Sequence, residues 1–284
     1  MEDSASIGTA LKVTRAAGAL GAYVEGVDVR DALRDDDLFA QLREVALRYE
    51  VIFLRGQDVP AVDFQAFACR FGTVLDHPAY GTVADAPLVQ ILESTAERPS
   101  KIEEWHSDMT FSATPPSFTI LHGQIIPEYG GDTLWASATA AYDALSPALK
   151  ALLKERRAVH DFRHGFKESL AEPGGEDRLA DAIATNPPVS HPLVRTHPET
   201  GRKALYVNPL FTTHIEGLTL SESEHLLTFL YQHCVTHEFS VRLRWAPGTI
   251  VVWDNRAVLH KPVNDFHPQH RKLHRITIQG DTPA

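Results

Sequence analysis

"FSVRLRWAPGTIVVWDNRAVLHKPVNDFHPQHRKLHRITIQG", residues 239–280, sets three β-like runs close together: "FSVRLRW", "TIVVWD" and "HRITIQG". Apolar and β-branched runs parted by turn signals predict neighbouring strands of an antiparallel sheet or barrel. The same pattern extends upstream. "PLVQILE", "SFTILHG", "DTLWAS" and "ALYVN" are further strand candidates, and "LKVTRAAGALGAYVEGVDVRD" reads as short strands broken by glycines. "VIFLRGQ" is a buried strand ended by Gly56.

Helices punctuate these strands. "DDDLFAQLREVALRYE" opens with acids and spaces Leu38, Leu42, Val45 and Leu47 as an amphipathic helix does. "AVDFQAFACRFG" sets Phe64, Phe67 and Ala68 on one face, with Gly72 as its stop. "TAAYDALSPALKALLKER" is a helix broken near Pro147, and "SESEHLLTFLYQHC" carries Ser221 and Glu224 at capping-box spacing. Residues 163–190, with "EPGGED" and paired prolines, form a long excursion of the kind that covers a site. No internal repeat or obvious linker interrupts the chain. The expectation is one domain, 1–284, mainly β with helical decoration and jelly-roll in architecture, with 163–190 as its lid.

Composition narrows the function classes. A net charge of −10 argues against non-specific nucleic-acid binding, which needs a basic surface. The two cysteines, Cys69 and Cys234, lie in helical-looking stretches and predict neither a disulfide framework nor a cysteine metal cluster. "MEDSASIGTA" is acidic and lacks the apolar run of a signal peptide, and no stretch approaches the roughly 20 apolar residues of a membrane span. A soluble cytoplasmic enzyme is the expectation.

The candidate chemistry starts at "EEWHSDMTF", residues 103–111. On a strand, His106 and Asp108 would point to one face and offer an imidazole nitrogen and a carboxylate oxygen to one ion. Roughly one such His-x-Asp pair is expected by chance in this composition, so it proves little by itself. His260, after "WDNRAVL", supplies a third ligand where the chain could return beside the first pair. Two histidines and one carboxylate leave positions open, as non-haem Fe(II) requires when it must bind a co-substrate and O2. Arg271 and Arg275 would share a face of an extended run, and two planar guanidiniums beside such a site imply two anionic small molecules. Other readings of these residues are a zinc hydrolase with a metal-bound water and a non-catalytic cupin-like protein that binds metal or anions without turnover.

These motifs resemble those of the taurine/2,4-dichlorophenoxyacetate dioxygenases, which depend on Fe(II) and 2-oxoglutarate. The resemblance rests on "RFG" followed by "HPAY", "WHSDMTF", "GGDTLWAS", "HPLVRTHPETGRKALYVN", "WDNRAVLH" and "HRKLHRITIQGD", in family order from about residue 12 to the C-terminus. It implies a double-stranded β-helix with Fe(II) held by His106, Asp108 and His260. It also implies that Arg271, assisted by Thr133, anchors the distal carboxylate of 2-oxoglutarate, the co-substrate used with O2. Arg275 matches the arginine that holds the substrate's anionic group, and His77, Tyr80, Phe166 and Phe211 match other residues around the substrate. Ile102 stands where taurine dioxygenases carry an asparagine, which favours a less polar substrate tail. The implied reaction hydroxylates the carbon next to a sulfonate or sulfate group and releases succinate, CO2, an aldehyde and sulfite or sulfate. Aryloxyalkanoates are the alternative substrates, and a homo-oligomer is a family expectation.

Overall fold

Caps and turns keep the elements short. The computed structural model describes residues 11–75, 81–100 and 102–284. The first strands, β1 (Lys12–Arg15) and β2 (Ala22–Glu25), lead into helix α1 (Asp36–Tyr49). Asp35 caps α1 by accepting from the Leu38 backbone N–H, and Glu50 ends it in the left-handed region at φ 66°. Strand β3 (Val51–Leu54) and helix α2 (Ala61–Cys69) follow, α2 stopping at Cys69 before the expected Gly72. Next come β4 (Thr82–Val83), β5 (Ala86–Ser94), β6 (Phe118–Ile125) and β7 (Thr133–Ser137). Pro147 opens α4 (Pro147–Leu153) after α3 (Ala138–Ala144), so the predicted break is where the sequence places it.

Strands β8 (Arg157–His160) and β9 (Val189–Pro192) pair with each other and form the stem of the long excursion. Between them the chain folds into four short helices: α5 (Phe162–Gly165), α6 (Lys167–Ala171), α7 (Gly175–Arg178) and α8 (Ala180–Thr185). Strands β10 (Val194–Thr196), β11 (Lys203–Leu205) and β12 (Thr212–Ile215) precede helix α9 (Leu220–Cys234). The α9 capping box is Thr219 with Glu222, not Ser221 with Glu224. Thr219 has the extended backbone a cap needs, whereas Ser221 already lies inside the helix. The chain ends with β13 (Ser240–Leu243), β14 (Ile250–Asp254), β15 (Val258–Pro262) and β16 (Arg271–Thr277).

An eight-stranded sheet runs β1-β2-β3-β14-β6-β16-β5-β4, and a smaller sheet runs β13-β7-β15. Trp135, Leu243 and Val258 of the small sheet pack with Phe53, Leu121, Val251, Trp253 and Leu273 of the large one, so the two face each other across a shared core. The opposite face of the large sheet, with Ile52, Ile120, Val252 and Ile276, is covered by Leu42 of α1 and Phe64 and Phe67 of α2. Helices α3 and α9 pack with β10 and β11 in a further layer. This is the expected jelly roll, but the three C-terminal runs do not pair with one another. β14 and β16 flank β6 on either side, while β13 pairs with β7 in the opposite sheet. Apolar runs mark strands but not partners, and here successive strands cross between sheets. Among the described residues no helix is long and apolar enough to cross a membrane.

Candidate active site

One isolated backbone bridge assembles the centre. His106 N–H donates to His260 O at 2.9 Å and His260 N–H returns to His106 O at 2.6 Å, drawing the two ring centroids to 4.2 Å. His260 is fixed within β15, opposite Trp135 of β7. His106 is not on a regular strand. Its segment bridges β15 at a single residue and then turns, with Met109 in the left-handed region at φ 47°. Asp108 therefore joins the histidines through a turn rather than through strand alternation. Two bonds hold that turn: Ser107 Oγ donates to Val258 O at 2.7 Å, and Thr119 Oγ1 donates to Asp108 Oδ2 at 2.7 Å.

The three side chains are buried, and one ligand atom from each lies within 4.8 Å of the others. Asp108 Oδ1 is 4.0 Å from His106 Nε2 and 3.9 Å from His260 Nε2. The His106 Nδ1 pairs with Glu104 O at 2.9 Å, which makes Nδ1 the protonated nitrogen and leaves Nε2 as a bare acceptor. His260 Nδ1 is buried without a hydrogen-bond partner. Burial pushes the His260 imidazole down to about 3, with His106 adding to the effect, and burial likewise lowers His106. Both rings are thus neutral, as metal ligation requires. Burial by itself would raise the Asp108 carboxyl, but the Arg275 guanidinium, with the Thr119 hydrogen bond, holds it well below the usual carboxylate range. A neutral His pair with an ionised carboxylate fits a divalent ion with positions left open.

Arg271 and Arg275 both project from β16 toward this centre's side of the sandwich. Arg275 Nη2 lies 3.4 Å from Asp108 Oδ1, and its Nε donates to Thr277 Oγ1 at 3.0 Å. Arg271 sits with its guanidinium 5.8 Å from the ring centroids of both Trp245 and Phe266, and its Nε is buried without a partner. Burial lowers its pKa to about 10, so it stays cationic at neutral pH. Gly131, at φ +69°, makes room for it: a Cβ there would lie 3.2 Å from Arg271 Cδ. Thr133 is buried at the start of β7 and accepts from Trp245 Nε1 at 3.0 Å. Its own hydroxyl hydrogen is free to point elsewhere.

An apolar wall stands beside the histidines. Phe211 meets His106 edge-on at 6.4 Å, and it clusters with Phe111, Phe162, Phe166, Met109 and Ile183. Phe162 and Phe166 both meet Phe111 edge-on, at 5.2 and 6.2 Å, so the α5–α8 excursion is attached to this wall. Ile102 is 37% exposed; its carbonyl accepts from Asn264 Nδ2, and it belongs to none of the buried clusters. His77 and Tyr80 lie outside the described residues. Thr119, Asn255, Trp245 and Phe111 were not legible as site residues. Each is an ordinary strand, turn or core residue type whose role depends on a partner far away in sequence.

The "WDNR" motif divides its labour. Asp254 takes Arg256 through Nε and Nη2 at 2.8 and 2.7 Å and pairs with His197 at 2.9 Å, which ties the end of β14 to the 197–202 turn. Burial favours the neutral acid, yet Arg256 and His197 hold the Asp254 carboxyl well below its usual range.

Known proteins share this arrangement of the chain. The family model described as taurine catabolism dioxygenase TauD, TfdA family matches residues 12–277. An alkylsulfatase of Acinetobacter baylyi is 33% identical over 275 residues, covering 95% of this chain and 86% of that protein. The 2,4-dichlorophenoxyacetate dioxygenase of Cupriavidus pinatubonensis, an alpha-ketoglutarate-dependent protein, is 32% identical over 277 residues, covering 92% and 94%. A crystal structure of a taurine dioxygenase from Burkholderia xenovorans superimposes with a TM-score of 0.82 at 36% identity, covering 97% of this chain and 91% of that one.

Proposed function

The chain belongs to the TauD/TfdA dioxygenase family, and from that premise we propose that it oxidises a small organic sulfonate or sulfate ester at the carbon next to the anionic group, in the cytoplasm. The observation that carries this reading is the buried convergence of His106, Asp108 and His260 with the Arg275 guanidinium 3.4 Å from Asp108.

His106 Nε2, Asp108 Oδ1 and His260 Nε2 would hold Fe(II). Bound Fe(II), with 2-oxoglutarate and O2, supplies the oxidation: 2-oxoglutarate is converted to succinate and CO2, and one oxygen atom is inserted into a substrate C–H bond. Arg271 anchors the distal carboxylate of 2-oxoglutarate, with the Thr133 hydroxyl as a second donor; Thr133 already accepts from Trp245 Nε1, which leaves its own hydrogen available for this bond. Arg275 holds the substrate anion and so presents the adjacent carbon. Phe211 and Phe166 receive the substrate's tail and exclude water. A carbon bearing both a new hydroxyl and a sulfate or sulfonate then collapses, its C–O or C–S bond breaking to give an aldehyde and sulfate or sulfite. The apolar wall favours substrates with a hydrocarbon tail over taurine, whose amine would lose its hydration there without gaining a partner.

Two measurements test this. Anaerobic addition of 2-oxoglutarate to the Fe(II)-loaded protein is expected to give a weak visible charge-transfer band, and a colourless mixture would count against the dioxygenase reading. A panel of alkyl sulfates, alkanesulfonates, taurine and aryloxyacetates is then scored by succinate, with sulfate and sulfite measured separately. Succinate formation with aryloxyacetates alone would move the assignment to the substrate class named for the Cupriavidus relative.

A further inference from the structure

A line of hydrogen bonds leads to the Asp108 carboxylate, and its direction is set at the far end. The Trp253 indole N–H can only donate. It donates to Asn255 Oδ1 at 2.8 Å, and the Asp108 backbone N–H approaches the same oxygen at 3.4 Å. With that oxygen committed, Asn255 turns its amide nitrogen to Thr119 and donates to Oγ1 at 2.8 Å. Thr119 is thereby an acceptor on that side, so its own hydrogen goes to Asp108 Oδ2, 2.7 Å away. The relay is dry: Thr119 is 0%, Trp253 1% and Asn255 2% exposed. Strand pairing sets its geometry, because Trp253 of β14 lies opposite Thr119 of β6.

We propose that Trp253, Asn255 and Thr119 are positioning residues that make Asp108 a one-oxygen metal ligand. Oδ2 is held by the Thr119 hydroxyl, and Oδ1 is the oxygen turned toward the two histidine Nε2 atoms, 4.0 and 3.9 Å away. Three protein atoms on a six-coordinate ion leave three positions, and a chelating 2-oxoacid plus O2 needs all of them. A carboxylate binding through both oxygens would occupy one of these. The relay therefore protects the open face rather than strengthening the hold on the metal. The 103–111 loop also has fastenings outside the relay, the Ser107 bond to Val258 and the His106–His260 bridge, so loss of the relay leaves the loop anchored at those points. The inference rests on the reading of His106, Asp108 and His260 as Fe(II) ligands.

The test compares the parent protein with Thr119→Val, Thr119→Ser and Asn255→Ala, measuring Fe(II) affinity and 2-oxoglutarate affinity anaerobically, the latter through the visible band. In Thr119→Val, Asp108 is free to chelate, so Fe(II) affinity is held or raised while 2-oxoglutarate affinity falls by on the order of tenfold, the scale of effect outer-shell partners exert, and the band shifts. Thr119→Ser, which keeps the hydroxyl, restores both. Asn255→Ala moves both readouts as Thr119→Val does, and it serves if the valine variant fails to fold. General damage to the site would lower both affinities together. A parent-like band and 2-oxoglutarate affinity in Thr119→Val or Asn255→Ala, or a parallel loss of both affinities, overturns the relay. Absence of the band in the parent protein overturns the ligand reading itself, and the relay with it.

Discussion

His106 and Asp108 show what a residue type can and cannot announce. Their spacing is close to a chance event, and what gives it meaning is the bridge to His260 and the burial of all three groups. His106→Ala is expected to abolish stoichiometric Fe(II) binding while far-UV circular dichroism stays native; retained Fe(II) at parent affinity would reject this ligand assignment. The two arginines separate by location. Arg271 lies between Trp245 and Phe266 beside Gly131, whereas Arg275 lies against Asp108. Arg271→Ala should weaken 2-oxoglutarate binding, and Arg275→Ala should suppress substrate-dependent turnover with 2-oxoglutarate binding kept. Removing one partner of a buried charge pair costs about 3–5 kcal/mol, so each loss should exceed a hundredfold. The opposite pattern in titrations and turnover would exchange the two roles. The residue types were readable from sequence. Ile102, chosen for its place upstream of the metal pair, stands at the solvent edge.

At the scale of elements, the excursion between β8 and β9 was legible as an insertion but not as helices. Its Pro and Gly signals conceal four helical segments too short to be stable alone. Phe162 of α5 and Ala182 and Ile183 of α8 join the cluster of Phe111 and Phe211, which anchors the excursion at both ends. Gly165 marks that contact, because a Cβ there would lie 2.3 Å from Phe211 Cε1 and 3.1 Å from Leu210 O. Gly165→Ala must displace α5 or the Phe211 ring, an overpacking cost of typically about 1–3 kcal/mol. We expect a lower Tm, faster proteolytic cleavage within 166–186, and a raised KM for long-tailed substrates with little change in the Fe(II)–2-oxoglutarate band. Unchanged proteolysis and KM would show that α5 does not need this close approach. The α9 cap makes the same point about register: two Ser/Thr-to-Glu pairs were on offer, and only the backbone conformation of Thr219 selected one.

Across the whole molecule, buried neutral histidines tie stability to pH. Burial pushes His160 down to about 3, with His191 adding to the shift, whereas in the unfolded chain it titrates near its ordinary value of about 6.5. Between these values the unfolded chain binds a proton that the folded chain does not. Stability is therefore complete above about pH 6.5 and falls as the pH is lowered, by up to about 1.4 kcal/mol per pH unit for one such group. In the presence of a chelator, Tm should drop between pH 6.5 and 4.5, and His160→Gln should flatten that dependence. An identical slope in the variant would remove His160 from the account.

The amino-acid sequence by itself determined that this is a mainly β chain punctuated by capped helices. It also determined that His106, Asp108, His260, Thr133, Arg271 and Arg275 are of the right types to hold a metal and two anions. These are local properties: apolar runs, turn residues and donor atoms are written in order along the chain. Tertiary structure decided which strands face one another, so that β13 left its sequence neighbours for β7. It decided that a single backbone bridge and a turn at Met109, not strand alternation, bring the two histidines and Asp108 together. It also decided that Thr119 and Asn255, unremarkable as residue types, stand behind the carboxylate. Their role arises from strand register and from the need to satisfy buried polar groups, and neither is a property of any one segment.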